Sequence, residues 1–128
     1  MNLPVQDLLE RWAAEQPNRP LTRYGKTTVS YERAHREARA LAAALHGLGV
    51  EPGDRIAIDL PNWPEFVVSA LAAANLGATI VPLNPGYSPH ELQFMLRNSE
   101  ATAVVAAERF EGADNLELFE RMLYTLPE

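Results

Sequence analysis

The sequence predicts an α/β fold with three layers, in which a mostly parallel sheet is flanked by helices and preceded by a short amino-terminal hairpin. Three observations carry this. Short apolar runs near residues 56, 79 and 103 have the length and composition of buried strands. Segments of helical periodicity near 36–47, 64–76 and 89–98 alternate with them. Turn-forming residues stand at the junctions, and strand–helix–strand alternation calls for parallel strands joined by right-handed crossovers.

The elements follow in order. Val5, Leu8, Leu9, Trp12 and Ala13 recur at helical spacing and define one helix face, which ends before Pro17. Leu21 to Tyr24 and Thr27 to Ser30 read as two short strands turning about Gly25-Lys26. Ser30 is placed to cap the next helix, with Glu32 in its first turn. Ala34, Ala38, Leu41, Ala42, Leu45 and Leu48 form the stripe of that helix. Glu32 with Arg36 and Arg33 with Glu37 make i,i+4 pairs on its wet side, and Gly47 and Gly49 stop it.

Glu51-Pro52-Gly53-Asp54 is a turn before the strand Arg55 to Leu60, which puts Ile56, Ile58 and Leu60 on one face. Asn62, three residues before Glu65, reads as the cap of a helix over roughly Trp63 to Leu76. That helix is apolar nearly all round, the pattern of one buried on more than one side. Gly77 ends it, and Ala78 to Leu83 reads as a buried strand. After the loop Asn84-Pro85-Gly86, Ser88-Pro89-His90-Glu91 is a capping box that starts a helix running to about Asn98. Ala101 to Ala107 is a third apolar strand, and Leu116, Phe119, Met122 and Leu123 mark a last helix.

The chain has 128 residues, which fits a single domain, and its 47% hydrophobic and 22% charged content excludes general disorder. Eleven Lys plus Arg against 17 Asp plus Glu give a net charge of −6, and Lys26 is the only lysine. There is no basic stripe, so nucleic acid is not expected as a partner. No cysteine is present, which removes disulfides, thiol nucleophiles and thiolate metal sites and fits a cytoplasmic location. Met1 to Glu10 holds two acids and no basic segment of a leader. The apolar stretch Phe66 to Leu83 is broken by Ser69, Asn75, Gly77, Thr79 and Pro82, so no transmembrane segment is expected.

Sites of chemistry are few. The glycines Gly47, Gly49 and Gly53 close a helix instead of opening one, which is wrong for a phosphate cradle, and no Gly-Lys-Ser/Thr run exists. Asp59 ends a strand, where α/β proteins tend to bind ligands, and is expected to be solvated or to cap. The alternative for Asp59, the phospho-acceptor of a receiver-like signalling domain, would need a Lys on a later strand. His35, His46 and His90 are isolated and lack metal-ligand spacing. Ser30, Ser69, Ser88 and Ser99 lack a nucleophile elbow. Tyr31, Trp63 and Tyr87 could line a pocket but read first as packing anchors.

Taken together, several segments form an ordered series. They are Val29-Ser-Tyr-Glu-Arg-Ala34, Gly49-Val-Glu-Pro-Gly-Asp-Arg-Ile-Ala-Ile58, Leu60-Pro-Asn-Trp-Pro-Glu-Phe66, Ala74-Asn-Leu-Gly-Ala-Thr-Ile-Val-Pro-Leu-Asn-Pro85, Tyr87-Ser-Pro-His-Glu-Leu92 and Asn98-Ser-Glu-Ala101. From about Leu3 to Ala107 this succession resembles the amino-terminal part of AMP-forming acyl-CoA synthetases of the adenylate-forming ligase superfamily. The resemblance implies a ligase that activates a carboxylic or fatty acid with Mg-ATP and passes the acyl group to coenzyme A. It also implies that the phosphate loop, the nucleotide motifs and the catalytic Lys lie outside the matched region. Residues 1–128 are therefore expected to form a single partial domain, an incomplete part of the larger amino-terminal ligase domain. No catalytic, cofactor-binding or metal-ligating residue is assigned to it. Tyr31, Asn62 and Pro82-Leu83-Asn84-Pro85 carry over only as scaffold, setting a helix start, a helix cap and the end of a buried strand.

ATP, Mg and CoA are expected for the full-length family member and none for this segment. The expected partner is the remainder of the ligase chain. The segment is expected to be a fragment inactive by itself, whether a cloned piece or a truncated gene product. An incomplete sheet would expose a strand edge and favour a homodimer or other self-association. The alternative is a stand-alone, non-catalytic interaction or dimerisation module that reuses the ligase scaffold.

Overall fold

The computed structural model describes residues 4–125. Helix α1 spans Val5–Glu15. Of its apolar stripe, Leu9 and Ala13 are buried, while Val5 and Leu8 stay exposed. Strands β1 (Pro20–Tyr24) and β2 (Thr27–Ser30) pair antiparallel, turning at Gly25 with φ +57°. Ser30 Oγ accepts the Arg33 N–H at 3.2 Å and so caps helix α2 (Tyr31–Gly47). The pairs Arg36–Glu32 (2.8 Å) and Arg33–Glu37 (2.9 Å) form on its exposed side. Gly49, at φ +98°, takes the chain away from the helix end.

Strand β3 (Arg55–Asp59) leads to helix α3 (Pro64–Leu76), which ends on Gly77 in the left-handed conformation, φ +69°. Strand β4 (Thr79–Pro82) and helix α4 (Pro89–Ser99) follow. The capping box of α4 is complete, with Ser88 and Glu91 each accepting the other's backbone N–H at 3.2 Å. Arg55 Nη1 donates to the Ser99 carbonyl at 3.0 Å, which sets a cation at the carboxyl end of α4. Strand β5 (Ala103–Ala106) is followed by the two-residue strands β6 (Arg109–Phe110) and β7 (Ala113–Asp114) and by helix α5 (Asn115–Thr125).

The sheet is parallel with order β4-β3-β5. Ile56 and Ile58 of β3 join Leu45 and Ala73 in the core on one face, against α2 and α3. Ala57 joins Leu83 and Leu92 on the other, with Leu118 and Phe119 of α5 packed against it. These are the three expected layers. Helices α2 and α3 pack on each other, and each buries alanines completely, Ala34 and Ala38 on α2 and Ala72 and Ala73 on α3. Small side chains let two helices and a sheet approach closely enough to exclude water, which explains the all-round apolar pattern of α3.

Two expectations need correction. Asn62 is exposed and does not cap α3. Pro64 is the first helical residue, so Trp63 takes the cap position and supplies no side-chain bond. The apolar segment 78–83 forms an edge strand, and Thr79 to Pro82 are half-buried or exposed instead of buried, because β3 is its one neighbour among the described residues. The β6–β7 hairpin was not foreseen. Glu111 (φ +49°) and Gly112 (φ +79°) form its two-residue loop, and glutamate is an unusual residue at such a position. The side chains of Met122 and Leu123 lie outside the described residues. Among the described residues, no helix is long and apolar enough to cross a membrane.

The alanine seam yields a test. Ala38→Leu should destabilise the chain by about 1–3 kcal/mol through overpacking. A urea midpoint unchanged from the parent would contradict the close approach of α2 and α3.

Candidate functional site at the carboxyl ends of the parallel strands

In open parallel sheets, ligands collect at the carboxyl ends of strands, where the chain leaves neighbouring strands toward opposite faces. Here β3 runs into α3 on one face, whereas the chain beyond β5 reaches α5 on the other. Three loops meet at that end: Leu60–Trp63, Leu83–Tyr87 and Ala107–Glu111.

Each loop is held by local bonds. The Trp63 N–H donates to the Pro61 carbonyl at 2.7 Å, and the Leu83 N–H donates to the Ile58 carbonyl at 2.9 Å. Asn84 Oδ1 accepts the Gly86 N–H at 2.8 Å, and the Asn84 carbonyl accepts the Tyr87 N–H at 2.9 Å. The third loop is tied to α5, because Asn115 Nδ2 donates to the Ala107 carbonyl at 3.0 Å. The Trp63 and Phe110 rings meet edge to face at 6.0 Å, which joins the first loop to the third.

Two concavities result. One, of about 550 Å³, lies beside Trp63 and carries Glu37, Glu65, Glu108 and Arg109 over an apolar floor of Leu41, Leu60 and Val105. The other, of about 660 Å³, lies between the first two loops and includes Asn62, Asn84, Tyr87 and Glu111. The first is lined by three carboxylates and one guanidinium, that of Arg109, and Glu37 is also paired with Arg33 at 2.9 Å; the second is lined by no cation. Arg109 also lies 3.9 Å from Asp114.

Asp59 departs from the expectation of a solvated or capping carboxylate. It is 6% exposed, and its carboxylate has no hydrogen-bond or ion-pair partner among the described residues. It ends the central strand, in register with Ala106 of β5. Burial pushes its carboxyl above the ordinary carboxylate range.

The other sequence candidates are dispersed. Tyr31 packs on Trp12 at 6.1 Å, where Arg19 also covers the indole. Trp63 and Tyr87 line different concavities. His35 and His46 belong to α2 and His90 to α4. Ser30 and Ser88 cap helices, Ser69 Oγ donates to the Glu65 carbonyl at 2.7 Å, and Ser99 Oγ donates to the Leu96 carbonyl at 3.1 Å. Among the described residues no three His, Cys, Asp or Glu side chains cluster as metal ligands. Sequence reasoning missed Glu37, Glu108, Arg109 and Phe110. The only local signal was the Glu111-Gly112 pair that turns the hairpin beside them.

The architecture is that of a doubly wound parallel α/β unit, with loops gathered at the carboxyl ends of its strands. The chain belongs to the AMP-binding enzyme family, whose sequence model matches residues 9–125. It is similar to a salicyl-AMP ligase / salicyl-S-ArCP synthetase of Mycobacterium tuberculosis, with 36% identity over 86% of this chain and 20% of the relative. It is also similar to a long-chain-fatty-acid–CoA ligase of Bacillus subtilis, with 32% identity over 84% of this chain and 19% of the relative. Among solved structures, VinN in complex with L-aspartate superposes with a TM-score of 0.77 and 33% identity, covering 88% of this chain and 29% of that one. A benzoate CoA ligase from Burkholderia xenovorans shares the fold, with a TM-score of 0.82 and 23% identity over 98% of this chain and 24% of that one. The chain thus spans about a fifth of the length of the curated relatives it matches, and corresponds to the amino-terminal segment of adenylate-forming ligases.

The buried Asp59 gives a prediction with a definite sign. Its folded-state value lies above its unfolded one, so its contribution is fully present below the unfolded range and is lost as pH rises through the folded value. Asp59→Asn removes the ionisation. It should be more stable than the parent at pH 7, with the advantage vanishing below about pH 4. Equal denaturation midpoints across that range would show that the carboxylate is well solvated.

Proposed function

We propose that this chain is the amino-terminal scaffold of a cytoplasmic, ATP-dependent acyl-CoA synthetase. Such an enzyme converts a carboxylic acid, ATP and CoA to acyl-CoA, AMP and pyrophosphate. The scaffold shapes one wall of the large domain and is inactive by itself. Family membership supports the ligase class. Relatives named as long-chain-fatty-acid–CoA ligases support CoA as acyl acceptor.

The observation that carries the scaffold role is the lining at the carboxyl ends of the strands. A triphosphate needs converging N–H donors and cations. Here Glu37, Glu65 and Glu108 line the concavity with Arg109 as its one cation, Arg33 is engaged by Glu37, and Pro64 removes one donor from the start of α3. The residues present do not fit ATP or its Mg²⁺, so both are assigned to the rest of the ligase, together with CoA. What this segment contributes is a fixed set of loops, anchored by the Trp63–Phe110 contact and the bonds of Asn84 and Asn115.

The purified chain, given Mg-ATP and a panel of carboxylic acids, should release no acid-dependent pyrophosphate. Turnover in the ordinary enzyme range of about 1–1,000 per second would overturn the inactive-scaffold assignment.

A further inference from the structure

The first three helices enclose a polar cleft of about 350 Å³ that shares no lining residue with the concavities at the strand ends. Gln6 and Glu10 of α1, His35 and Arg39 of α2 and Asn75 of α3 line it, around the buried Ala42. Residues four apart on a helix lie on one face. Gln6 with Glu10 and His35 with Arg39 therefore make two polar rows turned to the same hollow. Asn75, in the last turn of α3, adds a carboxamide.

The fold makes no use of these groups. Among the described residues, none of the five polar side chains has a hydrogen-bond or ion-pair partner. Other charges on the same helices are treated differently. Arg33 is bound to Glu37, Arg36 to Glu32 and Arg11 to Glu15. Arg39 has His35 and Ala43 four residues away, and Glu10 has Gln6 and Ala14. Each is thus a charge without an opposite charge at the helical spacing. The fold sets both on one cleft and does not pair them with each other.

Opposite charges that share a hollow without meeting are complementary to a ligand that carries both. A guanidinium presents a planar fork to a carboxylate, and a carboxylate takes an ammonium through a charge-assisted bond. A plain anion would have Glu10 against it, and a plain cation would have Arg39. The carboxamides of Gln6 and Asn75 are neutral and offer both donors and acceptors, and the His35 ring offers one donor more.

We propose that this cleft binds a small zwitterion of the α-amino acid type, with its carboxylate on Arg39 and His35 and its ammonium on Glu10. Such a ligand joins α1 to α2. Helix α1 has Leu9 and Ala13 as its buried residues, while Val5 and Leu8 remain exposed, so it is lightly anchored and gains most from the bridge. The site is independent of the ligase reading.

The test titrates this chain with glycine, L-alanine and L-glutamine, and with propionate and ethylammonium, which carry one of the two charges each. At least one amino acid should bind saturably and about tenfold or more tighter than either single-charge compound. At about ten times its dissociation constant it should slow amide exchange through local opening of α1 roughly tenfold. Arg39→Gln and Glu10→Gln change exposed residues and should leave the helical circular dichroism intact, while each weakens binding about tenfold or more. Arg36→Gln lies outside the cleft and should leave the affinity as it is.

Absence of saturable binding by all three amino acids would overturn the proposal. Propionate binding as tightly as the amino acids, with Glu10→Gln neutral or favourable, would make the cleft a plain anion site and overturn it too. Amino acid binding that survives both Arg39→Gln and Glu10→Gln would place the ligand elsewhere on the chain and refute this assignment.

Discussion

Enclosure of β3 is the constraint on which the other features depend. A strand with Ile56, Ala57, Ile58 and Asp59 all buried can leave no backbone group unpaired, so it needs a ladder on each edge and a helix layer on each face. The order β4-β3-β5 supplies the ladders, and α2 with α3 on one face and α4 with α5 on the other supply the layers. Putting the next two strands on opposite sides of β3 requires crossovers on opposite faces if both are right-handed. The loops after β3 and β5 therefore diverge, and the concavity beside Trp63 is a consequence of that divergence.

What the sequence disclosed was what neighbouring residues decide. Ser30 and Ser88 were legible as caps because their partners, Arg33 and Glu91, lie three residues on. The ion pairs of α2 were legible for the same reason. Asn62 was misread because two signals competed: its spacing from Glu65 suggested a capping box, but Pro64 fixes the first helical residue and makes Trp63 the cap. The misreading of β4 has a different origin. Ile80 and Val81 would suit a central or an edge strand alike, and the distinction depends on residues far away in sequence. The site was the least legible part, because Glu37, Trp63, Glu108 and Arg109 come from three separate elements.

Asp59 shows how the same enclosure reaches chemistry. A carboxylate after Ile58 reads as the solvent-facing end of a strand. In the fold, Asp59 pairs in register with Ala106 and is buried. Its charge is disfavoured for want of water, not through a neighbouring anion, since desolvation is the cause of the shift. An isolated buried carboxylate of this kind gains from any donor that later reaches it.

The acidic lining and the fixed loops bear on the same division of labour. The carboxylates of Glu37, Glu65 and Glu108 line the first concavity and oppose a bound polyphosphate. A segment built to hold ATP would invert that balance, as glycine cradles and lysines do. Yet the loops are fixed by several hydrogen bonds and an aromatic contact, so the carboxyl ends of the strands are ordered without being suited to the nucleotide. Order without affinity is what a wall requires. Its loops are held in place from three sides of the site, by the Trp63–Phe110 contact and by the bonds of Asn84 and Asn115.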